Sequence, residues 1–218
     1  MKNVPLFLLL AFIGGFTDAS SFINFEVFTG HLTGNSILSA IYLVQHNMPV
    51  FSLSIVSLIS FLIGSISGAI IRIKLKQRFL NSLTLFLITL LLLITVIVNL
   101  HAEIYIYKLI AISLISIAMG IQNGFFNQSM GVGSHTTYIT GMTTSLISAL
   151  ITKTKDPTKA HNNKIILPLL IITFILGAFA GAMIATNKGL TSYMVILGLY
   201  GFALIICFLQ DFSPKALP

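Results

Sequence analysis

The chain has 218 residues, of which 56% are hydrophobic and only 8% are charged. A soluble domain carries about 25% charged residues, so this composition excludes an ordinary water-soluble protein. The net charge of +7 does not indicate a nucleic-acid partner, because the lysines and arginines lie in short segments between apolar runs and do not alternate with aromatic residues. We interpret the chain as an integral membrane protein whose main partner is the lipid bilayer.

Eight apolar segments follow one another along the chain. They are approximately Val4–Ile23, Leu32–Val44, Val50–Ile73, Leu80–Leu100, Tyr105–Phe126, Thr136–Ile151, Ile165–Thr186 and Leu190–Leu209. The second is only about 20 Å long as a helix, which is shorter than the roughly 30 Å hydrocarbon core. The sixth begins with a run of Thr, Ser and Tyr. The first is interpreted as a membrane helix rather than a signal peptide, because many apolar segments follow it.

The basic residues distinguish two topologies. If the second and sixth segments enter and leave on one side, ten basic residues share a face and Lys108 and Lys188 lie on the other. The ten are Lys2, Arg72, Lys74, Lys76, Arg78, Lys153, Lys155, Lys159, Lys164 and Lys215. If all eight segments span, the division is seven against five.

Cytoplasmic loops carry the excess of positive charge. The sequence therefore predicts an all-α polytopic protein of the bacterial inner membrane, with six transmembrane helices, two short re-entrant or half helices and both termini cytoplasmic. An eight-helix bundle is the alternative.

The two halves of the chain resemble each other in three places that follow in the same order. Phe61–Ile71 aligns with Phe174–Ile184, Thr29–Asn35 with Thr136–Met142, and Gly15–Asp18 with Gly120–Asn123. We predict one membrane domain over residues 1–218, with a first repeat at 1–101 and a second at 105–210. Three spans in each half would make the second repeat inverted, an arrangement found in transporters and channels. The alternative is that the duplication reflects only how membrane bundles evolve.

Two Gly-x-x-x-Gly motifs occupy equivalent places in these halves, Gly64 with Gly68 and Gly177 with Gly181. Glycines at this spacing let two membrane helices approach closely. We predict that they form helix-packing faces.

Asp18 lies inside the otherwise apolar first segment. A carboxylate in hydrocarbon is costly, so such residues are functional candidates by default. We predict that it binds substrate or carries a proton, and that His31 relays protons with it. The alternative is that Asp18 lies at the membrane interface and bonds Thr17 or Ser21, with His31 a loop residue at headgroup depth.

Amide side chains cluster near the end of the fifth segment. Gln122 and Asn123 are followed by Asn127 and Gln128. Such a cluster indicates either a polar cavity that binds solute or hydrogen bonds between helices.

Two Thr-Gly turns open the short helices, Thr33-Gly34-Asn35 and Thr140-Gly141. In re-entrant helices, these turns would place two helix N-termini inside the membrane, where they would contact substrate. Ordinary capping of interfacial helices is the alternative.

The residues for enzyme chemistry are few. Cys207 is the only cysteine and is expected to pack in an apolar helix. We predict no catalytic residue, no metal site and no cofactor, and no phosphate-binding loop is present. The leading hypothesis is a transporter or channel for a small solute, with a polar site at the midplane. The alternatives are a membrane-embedded enzyme acting on a lipid-like substrate and a scaffold or assembly protein, and a homo-oligomer is left open.

These motifs resemble those of the YoaK-like family of bacterial membrane proteins of unknown function. The resemblance rests on Gly15–Phe22, Leu32–Asn35, Met119–Asn123 and Thr136–Gly141 and covers nearly the whole chain. It implies a membrane protein of this architecture but no substrate. Asn127 stands where members of the family commonly carry an arginine, so an Asp–Arg pair expected in the family is in doubt here.

Overall fold

The fold is known from a computed structural model that describes residues 4–75, 79–127, 136–151 and 157–211, with side chains in the last range from 163 to 210. These residues form helices and no strands. The α-helices are α1 Val4–Phe25, α2 Leu32–Val44, α3 Met48–Lys74, α4 Leu80–Asn99, α5 Tyr105–Phe125, α6 Ile139–Ile151, α7 Pro157–Lys188 and α8 Ser192–Asp211. A 3-10 turn, Gly189–Thr191, separates α7 from α8.

Within the described ranges, five helical stretches are long and apolar enough to cross a membrane. They are Val4–Phe25, Met48–Lys74, Leu80–Asn99, Tyr105–Phe125 and Asn163–Gln210. The last comprises α7 and α8, and its 48 residues would extend about 72 Å as one helix, more than twice the hydrocarbon core. Gly189 breaks it with a φ of 55°, a left-handed conformation that favours glycine. The prediction of an all-α protein with long apolar helices is confirmed.

The helix boundaries follow local signals. α2 has the predicted bounds, and α3 begins where the Asn47 side chain accepts a hydrogen bond from the Val50 backbone N–H at 3.4 Å. α6 begins at Ile139, three residues later than the predicted segment. The reason is that Thr136 and Thr137 bind α5 through their hydroxyl groups instead of joining the helix.

Large apolar side chains cover the outside of the bundle. Ile73 is 74% exposed and Phe179 is 71% exposed, and many other Leu, Ile and Phe side chains share this surface. An apolar surface of this extent would be unfavourable in water and suits contact with lipid chains.

The helix pair α1 and α7 packs in parallel through glycines. The Cα atoms of Gly177 and Gly181 lie against the carbonyl groups of Phe12 and Phe16, and an added Cβ at either glycine would overlap those oxygens. Residue numbers rise in the same order on both helices along this contact, from 12 to 16 on α1 and from 177 to 181 on α7. The helices α1 and α7 therefore run in the same direction.

The pair α3 and α5 packs in the same way. Gly64 lies against the Ile117 carbonyl and Gly68 against the Ile121 carbonyl. Thus each of the four glycines expected to form packing faces contacts the backbone of a neighbouring helix. This close approach brings carbonyl groups and Cα atoms into direct van der Waals contact.

Reciprocal glycines lie on the partner helices. Gly15 of α1 contacts the backbone at Phe174, and Gly120 of α5 contacts the backbone at Phe61. Each contact therefore has an equivalent in the other pair, in the register of the sequence alignment.

The remaining helices cover these two pairs. α2 packs on α3 and α6 packs on α7, while α4 packs on α5 and α8, and α8 packs on α1 and α4. The beginning of α1 meets the end of α5, where the Phe7 and Phe126 rings are 6.1 Å apart. These two helices therefore run in opposite directions.

Candidate functional site

Asp18 binds the loop that connects α1 to α2. Its Oδ1 atom accepts hydrogen bonds from the backbone N–H groups of Thr29 at 2.9 Å and Gly30 at 2.7 Å, and from the Thr29 hydroxyl at 3.3 Å. Asp18 is only 4% exposed. The buried carboxylate therefore has the hydrogen-bond partners that burial of a charge requires.

The second carboxylate oxygen of Asp18 contacts His31. The distance between His31 Nδ1 and Asp18 Oδ2 is 2.5 Å. The His31 ring lies near the rings of Phe28 and Phe174, with centroid distances of 5.6 Å and 6.0 Å. The two residues expected to form a proton relay are thus adjacent, and aromatic rings surround the imidazole.

Asn123 occupies the equivalent place in the second half of the chain. Its Oδ1 atom accepts a hydrogen bond from the Thr137 hydroxyl at 3.0 Å, and its Nδ2 atom lies 3.4 Å from Ser65 Oγ. In the alignment of the two halves, Asn123 corresponds to Asp18, and Thr137 corresponds to Gly30. Each half therefore ties the loop before its short helix to a polar side chain of a long helix.

Gln122 and Asn35 have hydrogen-bond partners inside the bundle. The Gln122 amide donates to the Leu10 carbonyl at 3.1 Å and the Thr136 hydroxyl at 2.9 Å, and its Oε1 accepts from the Tyr200 hydroxyl. Asn35 forms two hydrogen bonds to the Phe28 backbone and donates to Ser57 at 3.0 Å. Both side chains join helices and loops together.

A cavity of about 520 Å³ lies between the two loops. Both halves of the chain contribute to its wall, which consists of Gly30, His31, Leu32, Thr33, Phe61, Asn123, Tyr138, Thr140 and Gly141. The side-chain groups on this wall are hydroxyls, one amide, one imidazole and apolar surface. They can bind a small polar solute by hydrogen bonds and van der Waals contact.

The predicted site residues fall into two sets. His31, Thr33, Asn123, Thr140 and Gly141 line the cavity. Asp18, Gly34, Asn35 and Gln122 are absent from its lining, and Asp18 reaches the wall through Gly30 and His31. Substrate binding by these residues stays a prediction, and Gln128 lies outside the described part of the chain.

Sequence reasoning missed several tyrosine contacts. Tyr138 lines the cavity, the Tyr193 hydroxyl lies 2.9 Å from Ser21 Oγ, and the Tyr200 hydroxyl donates to Gln122. Tyr193 and Tyr200 are seven residues apart on α8, a spacing that places both on one helix face. This spacing was the signal in the sequence from which a shared polar face on α8 could have been predicted.

Comparisons with known proteins identify a family. Residues 6–208 match a family described as "Protein of unknown function (DUF1275)". The comparisons with curated proteins and with solved structures gave no match. The resemblance to YoaK-like proteins is consistent with the family match. With nearly the whole of its length matched, the chain belongs to the DUF1275 family.

Proposed function

We propose that the protein is a membrane transporter or channel for a small solute, and that the cavity between the two loops is its binding site. The observation that carries this proposal is that Thr33 from one half and Thr140 from the other half line the same cavity. The site would use the hydroxyl groups of both threonines, the Asn123 amide and the His31 imidazole to bind the solute. Asp18, Gln122 and Asn35 would hold the walls in place.

The depth of the loops supports a site near the midplane. Asp18 binds the loop between α1 and α2 and lies seven residues before the end of α1. At 1.5 Å per residue, this point of the loop is roughly 10 Å from the end of the helix. Gln122 holds the other loop beside Leu10, roughly 9 Å from the beginning of α1. Both loops thus enter the bundle from opposite ends and meet at the cavity.

We also propose that the chain consists of two inverted repeats, 1–101 and 105–210. Two observations support this arrangement. The α1–α7 and α3–α5 pairs use equivalent glycines, and α1 and α5, the first helix of each half, run in opposite directions. α2 and α6 would then be re-entrant helices and the other six would span the membrane.

The charges support both termini in the cytoplasm. Arg72 Nη1 lies 3.4 Å from the Phe125 carbonyl, which places the end of α3 beside the end of α5. The opposite end contains Tyr105, whose hydroxyl donates to the Pro49 carbonyl. Arg72 and Lys74 lie at the first of these ends, where α3 and α5 finish. Lys164, near the beginning of α7, is assigned to the same end. Lys108 and Lys188 lie at the opposite end. We therefore propose that the first end faces the cytoplasm of a bacterial cell.

The basic residues of the connecting segments contribute to this argument only through the sequence. Lys2, Lys76, Arg78, Lys153, Lys155 and Lys215, and the side chain of Lys159, lie outside the described part of the chain. Their expected cytoplasmic position remains part of the proposal.

Solute flux into proteoliposomes tests the function. The wild-type protein is reconstituted and its uptake of a broad panel of small solutes is compared with that of the Thr140→Trp variant, whose indole would fill part of the cavity. Thr144→Trp is the matched control, because Thr144 lies one turn further along α6 and is exposed. We expect flux of at least one solute that Thr140→Trp abolishes and Thr144→Trp leaves intact. Equal background flux for all three proteins would refute the proposal.

A membrane-embedded enzyme is the second candidate, because His31 and Asp18 are in hydrogen-bond contact and His31 lines a cavity. A histidine oriented by a carboxylate can act as a general base. Such an enzyme would convert a lipid in detergent micelles, whereas a transporter needs a sealed membrane. Mass spectrometry of bacterial lipids incubated with wild-type and His31→Gln proteins distinguishes the two functions.

A further inference from the structure

His31 contacts Asp18 through one ring nitrogen and also lines the cavity. Its Nδ1 lies 2.5 Å from Asp18 Oδ2, and its side chain is 32% exposed. A neutral imidazole has a single N–H group, and a carboxylate acceptor at Nδ1 fixes it there. Nε2, across the ring, then carries the lone pair. A proton that reaches His31 from the cavity would therefore bind Nε2 and leave an imidazolium beside the carboxylate.

The Asp18 carboxylate contacts the cavity wall from behind, through Gly30 and His31. Its oxygens are occupied by Thr29, Gly30 and His31, and it does not line the wall. The other polar side chains of the wall are hydroxyls and an amide, which stay neutral. Protonation of His31 therefore raises the charge at the cavity wall by one unit.

The described residues of the neighbouring helices include no other group that changes charge near neutral pH. Met119 and Asn123 approach from α5, Phe174 from α7, and Tyr193 from α8 through Ser21. Tyr138 from α6 lines the cavity. Tyrosine hydroxyls stay protonated between pH 5 and 8, so His31 is the group that can change charge in this range among the neighbours that the structure describes.

The second half of the chain replaces this pair with neutral residues. In the alignment of the two halves, Tyr138 corresponds to His31 and Asn123 corresponds to Asp18. Both line the same cavity as His31. The cavity thus has two similar sides, and among the described residues of its wall His31 is the one that can bind a proton near neutral pH.

We propose that His31, oriented by Asp18, is a proton-binding site, and that the cavity binds an anion together with this proton. The inference rests on the proposed function and specifies its substrate as an anionic solute. The proton binds Nε2, the resulting imidazolium donates a hydrogen bond to the anion, and both leave when the site releases the proton. No anionic side chain lines the described wall of the cavity, so the bound anion meets no like charge there.

The charge of the cavity can be measured without a known substrate. A cysteine is introduced by Thr33→Cys in a Cys207→Ala background, and the protein is placed in nanodiscs. Its rates of reaction with an anionic sulfonate and a cationic trimethylammonium methanethiosulfonate reagent are measured from pH 8 to pH 5. The ratio of the two rates reports the local potential, because the same thiolate reacts with both reagents. Gln45→Cys, at the exposed end of α2, is the matched control.

We expect the anionic-to-cationic ratio at Thr33→Cys to rise about tenfold on acidification, as expected for a unit charge that forms within several ångström. The ratio at Gln45→Cys stays constant. Addition of His31→Gln makes the Thr33→Cys ratio independent of pH, and Tyr138→Phe leaves its rise intact. Asp18→Asn moves the midpoint to lower pH, because the imidazolium loses its anionic partner.

Each result has a separate consequence. A constant ratio at a reactive Thr33→Cys thiol overturns the proton site and leaves the proposed transport function standing. A rise that persists with His31→Gln also overturns it. If neither reagent reacts at Thr33→Cys while both react at Gln45→Cys, the cavity is closed to water, and both the proton site and the proposed function are refuted.

Discussion

Removal of the Asp18 carboxylate should release the loop between α1 and α2. In Asp18→Ala, the backbone N–H groups of Thr29 and Gly30 lose the acceptor that both of them share. A buried donor without a partner costs about 1–3 kcal/mol, so the two together cost about 2–6 kcal/mol. The loop can avoid this cost by moving away from α1 to other acceptors.

Hydrogen–deuterium exchange of the peptide over residues 26–32, in nanodiscs, measures this release. A decrease of 2 kcal/mol in the free energy of local opening corresponds to roughly 30-fold faster exchange. We expect at least this acceleration at Thr29 and Gly30 in Asp18→Ala. Asp18→Asn should change the rate by less than about fivefold, because its amide oxygen still accepts both N–H groups and His31 can accept from its NH₂ group by a change of tautomer.

Thr17→Val is the control for general destabilisation of α1. Thr17 is as buried as Asp18, but its hydroxyl bonds the Ile13 carbonyl of its own helix at 2.7 Å. Its substitution should leave exchange of the loop within about twofold of wild type. If Asp18→Ala and Asp18→Asn exchange at the same rate, the hydrogen bonds of Asp18 do not hold the loop and the reasoning is wrong.

Three further predictions concern packing, polar contacts and topology. Gly177→Ala should lower the free energy of unfolding in mild detergent by about 1–3 kcal/mol, because the new Cβ overlaps the α1 backbone. Gly198→Ala is the control and should be neutral or slightly stabilising, because nothing lies within 4 Å of its new Cβ. Equal melting temperatures for the two variants would contradict the close packing of α1 and α7. Tyr200→Phe leaves the buried Gln122 oxygen without its donor and should cost about 1–3 kcal/mol in the same assay, and an unchanged melting temperature would show that this hydrogen bond contributes nothing. In Cys207→Ala cells, a membrane-impermeant maleimide should label Gln45→Cys from the periplasm and Lys164→Cys only after lysis, whereas cytoplasmic labelling of both would favour eight spans.

The long helices could be predicted from the sequence because the membrane makes one property dominant. Leu80–Leu100, predicted from its apolar run, differs by one residue from α4. An uninterrupted apolar run has few ways to satisfy its backbone in lipid other than a helix. The start of α6 was less predictable. Thr136 and Thr137 could have continued the helix, but their hydroxyl groups bind amide side chains of α5 instead.

The partners of the buried polar residues were harder to predict. Asp18 accepts hydrogen bonds from the backbone N–H groups of Thr29 and Gly30. Every residue except proline has a backbone N–H group, so the side-chain types in the sequence do not identify these two partners. The partners of Gln122 lie at Leu10 and Tyr200, more than 75 residues away in either direction. Only the three-dimensional packing of α1, α5 and α8 brings them together.

The parallel contact between α1 and α7 has a consequence for synthesis of the protein. Gly177 and Gly181 enter the membrane about 165 residues after Phe12 and Phe16, with which they pack. At 5–20 residues per second, α1 waits roughly 10–30 seconds for its partner helix. Asp18 does not wait, because Thr29, Gly30 and His31 follow it within 13 residues. The charged group that insertion into lipid would penalise most therefore receives its hydrogen-bond partners from the next segment to leave the ribosome, well before the bundle is complete.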